Sequence, residues 1–497
     1  MTTLPARPED GPGSTPDTAA SPTLTADLGD RLEPLPVAPT LEDPVVRGAS
    51  EAFGGPLGRH ALVGSSWWTP IRVLMLFAVL ACGLMYAQKL PCRNAAWNNG
   101  FQYSHVCYTD IYPLYYTEGL DQGKRPYIDP HTDASGQQTY VEYPVLIGAT
   151  MQITADLAKL HLTPSSNAAQ RFLDVNWVVL TIAALVTVVA TALTHRRRPW
   201  DAAMVALAPG LILAGLINWD LIAVAFTALA LYAWARRHPV IAGLLLGLGI
   251  ATKFYPIVLF APLFLLCLRA RRLRSFFAML GGAAFTWAVV DVPVWLRSPQ
   301  GFETFYRFNE NRGPDWGSIW YAIEQITGSG YSTRQVNLME ALATVVVLAV
   351  VAAIALTAPR RPRLASLCFL TLALFLVVNK VYSPQYVLWL LPLAVLARPR
   401  WPSFLVWQFG EVLYFLAIWL YLLNVTRPGK GLEWQPYLVG LALRDLAVLF
   451  LCTLVVIDIF KPSRDVVRRD GADDPAGGVL DGAPDWLAPK QAAVPVG

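Results

Sequence analysis

Residues 240–269 read VIAGLLLGLGIATKFYPIVLFAPLFLLCLR, an apolar run whose one charge before the closing arginine is Lys253. Two segments, 240–252 and 254–269, meet at a polar turn, and each falls short of the roughly 20 residues that carry a helix across a bilayer. Half-length apolar helices of this kind belong inside a helical bundle in lipid, where broken backbone is tolerated only against protein or a cavity.

Working outward, comparable apolar runs lie at 69–90, 173–194, 201–217, 219–235, 275–296, 337–357, 364–378, 385–397, 403–424 and 436–460. With 55% hydrophobic and 15% charged residues over 497 positions, the chain carries more apolar surface than one soluble core can hide. The fold expected is all-α, a polytopic transmembrane helical bundle of about 12 spans, with the shorter runs broken, tilted or buried.

The basic clusters fix an orientation. Arg196 to Arg198, Arg236 and Arg237, Arg269 to Arg274, Arg360 to Arg363, Arg398 with Arg400, and Lys461 with Arg464, Arg468 and Arg469 all fall on one side of that count, and Lys and Arg gather on the cytoplasmic side. The protein is expected to be a multi-pass protein of the cell's inner (plasma) membrane, with both termini cytoplasmic and the functional face outside. The segment 145–157 must then not cross, and reads as an interfacial helix.

Residues 1–66, rich in Pro, Thr, Ala, Asp and Glu, read as a disordered cytoplasmic tail, 67–460 as the transmembrane domain, and 461–497 as a second disordered tail. The opening has no basic segment followed by an apolar core, so no secretory signal is expected. Of six cysteines, Cys82, Cys267, Cys368 and Cys452 sit in apolar runs. Cys92 and Cys107 flank a stretch placed outside and are the candidates for a disulfide.

Function is sought in the outer segments, chiefly 88–172 and 297–335, because long polar loops on one face of an apolar bundle carry sites. In the first loop Asp110 is a carboxylate just beyond the first span, able to deprotonate a hydroxyl if partly desolvated. Spacing alone favours the plainer reading, a cap on a helix over 111–119, and Glu118 and Glu142 compete for any acid–base role. Lys253 sits at the outer turn of the quoted run, suited to a phosphate or to snorkelling at a helix end. Asp220 and Asp291, near other helix ends, read as ligand contacts or as partners of Lys or Arg. The second loop sets Arg307 and Arg312 among Asn309, Glu310, Asp315 and aromatic residues, a mixture that holds sugars and phosphates. Lys380 stands at a helix break on the same face.

Walker loops, zinc-spaced Cys or His pairs, HExxH and dinucleotide fingerprints are absent from the sequence. An outward-facing enzyme would therefore draw on a donor already in the membrane. A secondary transporter would share the broken helices, but it should show matching halves and midplane charges, and no internal repeat is visible. A non-catalytic envelope scaffold is the third class.

At these residues the chain resembles the GT-C superfamily of membrane glycosyltransferases, and specifically the actinobacterial glycosyltransferase 87 family of polyprenyl-phosphate-mannose-dependent mannosyltransferases. The likeness covers roughly 67–460. It rests on one span followed by a long outer loop with Thr109-Asp110 and an aromatic helix (Tyr112, Tyr115, Tyr116), then Gly123 to Tyr127, Glu142-Tyr143-Pro144, and the turn around Lys253. The resemblance implies that Asp110 is the catalytic base of a single inverting displacement. It makes Lys253 the favoured contact to the donor phosphate, with Lys380, Arg312 or Arg307 as helpers. Tyr116, Glu142, Tyr143, Asp220, Asn309, Glu310 and Asp315 become candidates for substrate contacts. No metal or other cofactor is expected; the partners are a polyprenyl-phosphate-sugar donor, a cell-envelope glycan or glycolipid acceptor and the lipid bilayer, with no nucleic acid. Two departures leave substrate choice open: Tyr143-Pro144-Val145 replaces the usual Tyr-Pro-Pro, and Asn218-Trp219-Asp220 occupies a tip where relatives carry Gly-Gln or Gly-Asn. An arabinofuranose donor on the same lipid is the alternative.

Overall fold

The computed structural model describes Val45 and residues 68–486, apart from 96, 98, 134–135, 161–166 and 470. The expected N-terminal tail, 1–66, otherwise lies outside the described residues. Helix α1 (Pro70–Asn94) starts where Thr69 accepts from the Arg72 amide and Pro70 presets the first turn. An outer segment follows with α2 (Phe101–Ser104), α3 (Ile111–Thr117), the two-residue antiparallel strands β1 (His131–Thr132) and β2 (Gln138–Thr139), and α4 (Val145–Lys159). Helix α5 (Ala168–Thr194) returns through the bundle. The run 201–217 is broken into a 3-10 turn, Pro199–Ala202, and the short α6 (Ala203–Ala206) and α7 (Pro209–Ala214).

The remaining helices are α8 (Asp220–Ala235), α9 (Pro239–Thr252), α10 (Phe260–Arg269, led in by a 3-10 turn Tyr255–Leu259), α11 (Leu273–Arg297), α12 (Pro299–Asn311), α13 (Ile319–Thr327), α14 (Thr333–Thr357), α15 (Leu364–Val378), α16 (Val387–Ala397), α17 (Trp401–Thr426) and α18 (Trp434–Phe460). By length and composition, α1, α5, α11, α14, α17 and α18 can cross a membrane, and five shorter apolar segments accompany them. The architecture is an all-α, multi-pass membrane bundle. Helices α15 and α16 carry no charge and are buried on nearly all sides, as expected for helices apolar all round. Helices α9 and α11 approach backbone to backbone: a Cβ on Gly243 would lie 2.0 Å from the Met279 carbonyl oxygen, and one on Gly247 would lie 2.5 Å from that of Ala283.

The basic clusters converge at one end of this bundle, on a segment expected to be disordered. Residues 461–486, up to 470 and beyond it, pack against that end. Arg363 pairs with Asp465 (2.6 Å), Arg361 with Asp473 (2.7 Å) and Arg269 with Asp485 (2.7 Å), while Trp234 Nε1 donates to the Gly477 carbonyl at 2.7 Å. For these residues, expected to form a disordered tail, buried arginines supply partners for acidic groups that composition alone leaves solvated. Residues 487–497 lie outside the described residues.

Candidate active site

The opposite ends of α15 and α16 border a cavity of about 1000 Å³, and Asp110 lies on its wall. Three features hold that residue. Cys92, near the end of α1, is bonded to Cys107. The fully buried Lys89 donates from Nζ to the Tyr108 carbonyl at 2.7 Å. Asp110 N donates to the Ile217 carbonyl at 2.8 Å. Asp110 stands at the start of α3 yet makes no side-chain cap; Thr109 takes that place, accepting from Ile111 N at 3.2 Å. The carboxylate is instead held by two side chains. Tyr108 donates to Oδ1 at 2.6 Å and Asn218 donates to Oδ2 at 2.8 Å.

The second carboxylate on the wall is Glu142. Its neighbourhood is set by Tyr127, whose backbone is left-handed (φ 67°) and whose hydroxyl donates to the Pro144 carbonyl at 2.7 Å and accepts from Gly148 N at 3.1 Å. That clamp fixes the start of α4 and with it Glu142 and Tyr143. Burial pushes Glu142 up to about 7, with Arg312 pulling it down, Asp110 adding to the rise and Lys253 opposing it. Asn218 also donates to the Tyr143 hydroxyl at 3.0 Å, and Lys253 Nζ lies 4.9 Å from the Tyr143 ring centre. Lys253 thus faces the cavity from the end of α9, with Asp220 behind it at 3.8 Å.

The remaining cations come from the second outer loop and the break after α15. Lys380 Nζ donates to the Asn309 carbonyl at 2.6 Å and to Asn337 Oδ1, and burial lowers its pKa against the pull of Glu340. Arg312 Nη2 reaches Asp315 Oδ1 at 3.4 Å, and Asp315 N donates to the Lys380 carbonyl at 2.8 Å, joining loop to break. Burial raises Asp315, with Arg312 opposing. Beneath them Arg444 of α18, sandwiched near Tyr382 and Tyr414, donates to the Tyr382 and Gly317 carbonyls at 3.0 and 2.6 Å.

Asp110, Glu142, Tyr143, Lys253, Asn309, Glu310, Arg312, Asp315 and Lys380 therefore share one cavity. Tyr116 and Asp220 do not line it. Tyr116 points outward, 45% exposed, with its hydroxyl on Asn167. Asp220 is fully buried behind Lys253 and accepts from Trp389 Nε1 at 2.7 Å, so it braces a wall residue. Arg307 pairs with Glu303 on the exposed face of α12. Glu118 is buried outside the cavity, 3.4 Å from His131, and burial pushes it up to about 8. The sequence reading missed Asn218 as the partner of Asp110, and Tyr103 and Trp419 as wall residues.

The model of one protein family, Glycosyltransferase family 87, matches residues 160–379. The matched span contains Asn218, Lys253, Asn309, Arg312 and Asp315 and stops one residue short of Lys380, while Asp110 and Glu142 precede it. No curated protein matched the chain. Among solved structures it is similar to ArnT from Cupriavidus metallidurans in a crystal structure bound to undecaprenyl phosphate, at 14% identity and a TM-score of 0.41, covering 79% of this chain and 78% of that one. The match to a glycosyltransferase family thus falls within the multi-pass helical bundle.

Proposed function

We propose that this chain is a membrane glycosyltransferase that moves a mannosyl residue from a polyprenyl-phosphate donor to a hydroxyl of a cell-envelope glycan or glycolipid, on the outer face of the plasma membrane and with inversion. The observation that carries the reading is the Asp110 carboxylate, left uncapped and turned to a cavity that also holds Lys253, Arg312 and Lys380. One base beside three cations on separate elements is the arrangement a displacement from a phosphate needs.

Asp110 accepts the proton of the acceptor hydroxyl as its oxygen forms the bond to the anomeric carbon. The bond from that carbon to the phosphate oxygen breaks, and its electron pair leaves with the polyprenyl phosphate. Lys253, with Arg312 and Lys380, takes up the charge that grows on the leaving oxygen; Asp110 later releases its proton to water. A lipid-borne donor is supported by the cavity's apolar side. Phe254 and Ile257, next to Lys253 in sequence, line the cavity while remaining 44% and 41% exposed, so a chain can lie along them with its phosphate at the lysine.

The test is transfer of radiolabel from polyprenyl-phosphate-mannose to envelope acceptors by membranes holding equal amounts of the native chain or Asp110→Asn. Label transferred by the native chain and abolished by the substitution is the expected result. Equal transfer removes Asp110 from the mechanism, and transfer only from polyprenyl-phosphate-arabinose replaces the donor sugar.

A further inference from the structure

We infer that Tyr103, Tyr108 and Trp419 form the platform on which the acceptor sugar stacks, presenting its hydroxyl to Asp110; this rests on the transfer reading above. The three rings come from α2, the loop after it and α17, and all line the cavity. They lie nearly parallel, with centres 4.6 Å apart for Tyr108 and Trp419, 5.8 Å for Tyr103 and Tyr108, and 6.1 Å for Tyr103 and Trp419.

A platform of ring faces selects against the phosphate. The face of an aromatic ring is its negative side, which repels an anion and accepts the apolar C–H face of a sugar. The set also ends on the base, because the Tyr108 hydroxyl donates to Asp110 Oδ1. The other carboxylate oxygen belongs to a different group: Asn218 joins Oδ2 to Tyr143, over which Lys253 stands. Asp110 therefore sits between the ring surface, with Lys89 bound to the Tyr108 backbone rather than set over the three rings, and a group in which Lys253 stands over a ring. A displacement needs its nucleophile and its leaving phosphate on different sides of the sugar that moves, and these two groups supply them. Trp419 adds a polar signal. Its side chain is only 3% exposed, and its Nε1–H finds no acceptor among the described residues; a buried donor left unmet is costly. Simple packing of the outer segment onto α17 accounts for the stacking but leaves both the cavity position and the unmet N–H without a purpose.

The purified full chain in lipid nanodiscs provides the test, with an α-mannosyl trisaccharide as probe. Saturation-transfer NMR should mark the sugar's C–H protons for the native chain and for Tyr103→Phe, and lose most of that signal for Tyr103→Leu. In transfer assays Tyr103→Leu should raise the acceptor KM at least tenfold with the donor KM within twofold, Tyr103→Phe should restore it, and Trp419→Phe should raise the acceptor KM severalfold. An unchanged acceptor KM, a change in donor KM instead, or a trisaccharide signal absent from the native chain or equal in Tyr103→Leu would overturn the inference. If no form transfers sugar, the proposed function fails while the NMR comparison still decides the platform. Should Tyr103→Leu not fold, the Trp419→Phe measurements decide alone.

Discussion

The Tyr108 hydroxyl lies 2.6 Å from Asp110 Oδ1, and with Asn218 on Oδ2 it fixes the direction in which that carboxylate faces. Tyr108→Phe should keep the ring and remove this one hydrogen bond. A bond to a charged group contributes about 1.5–3 kcal/mol, so kcat should fall roughly 10- to 100-fold, provided the bond matters most as the proton moves. Steady-state kinetics check this; an unchanged kcat would mean that Asp110 is positioned without Tyr108.

Lys253 has two tasks that a double substitution separates. It faces the cavity and also stands 3.8 Å from the buried Asp220. Lys253→Met should raise the donor KM and lower thermal stability, because it leaves a carboxylate buried without its cation. Adding Asp220→Asn should restore the melting temperature and leave the donor KM high. Recovery of both would assign Lys253 to structure alone.

Glu118 gives a pH test outside the cavity. Burial raises it to about 8 from an ordinary carboxylate value near 4.5. A raised carboxyl stabilises the fold while it holds its proton, so its contribution is full below about pH 4.5 and is lost as pH climbs through 8. Glu118→Gln should therefore melt higher than the native chain at pH 8, by about 1 °C for each kcal/mol relieved in a chain of this size, and the gap should close toward pH 5. Thermal unfolding at both pH values reads it; a gap that widens toward pH 5 contradicts the sign.

The far end of the bundle offers a stability test with no catalytic component. Arg363 is 1% exposed and pairs with Asp465. Asp465→Ala leaves that guanidinium buried and unpaired, a loss of about 3–5 kcal/mol. Urea or heat unfolding should show it, while the KM values of the folded fraction stay unchanged.

The bundle was legible because its signal is local. Runs such as 240–252 and 254–269 appear as α9 and the 255–269 segment, since apolar length and a charged turn are written in consecutive residues. Lys253 and Asp110 were legible as charges beside apolar runs. What was hidden depends on residues far apart in the chain. Asn218 reaches Asp110 across 108 positions, and nothing near Trp419 marks it as cavity wall rather than lipid-facing. Tyr116 misled because a short aromatic helix has two faces and only the fold decides which is buried. The contacts of residues 461–486 were hidden because their acidic groups meet bundle arginines 102 to 216 positions away in the chain, as Asp485 meets Arg269.

The most direct test of the account is single-turnover transfer from polyprenyl-phosphate-mannose by purified native chain and Asp110→Asn, with donor binding measured separately on both. The account predicts donor binding within threefold and a transfer rate lower by about 10³-fold or more, on the scale of removing a general base and its positioning. A variant that transfers at the native rate, or one that loses transfer only because the donor no longer binds, would contradict the assignment of Asp110 as the base.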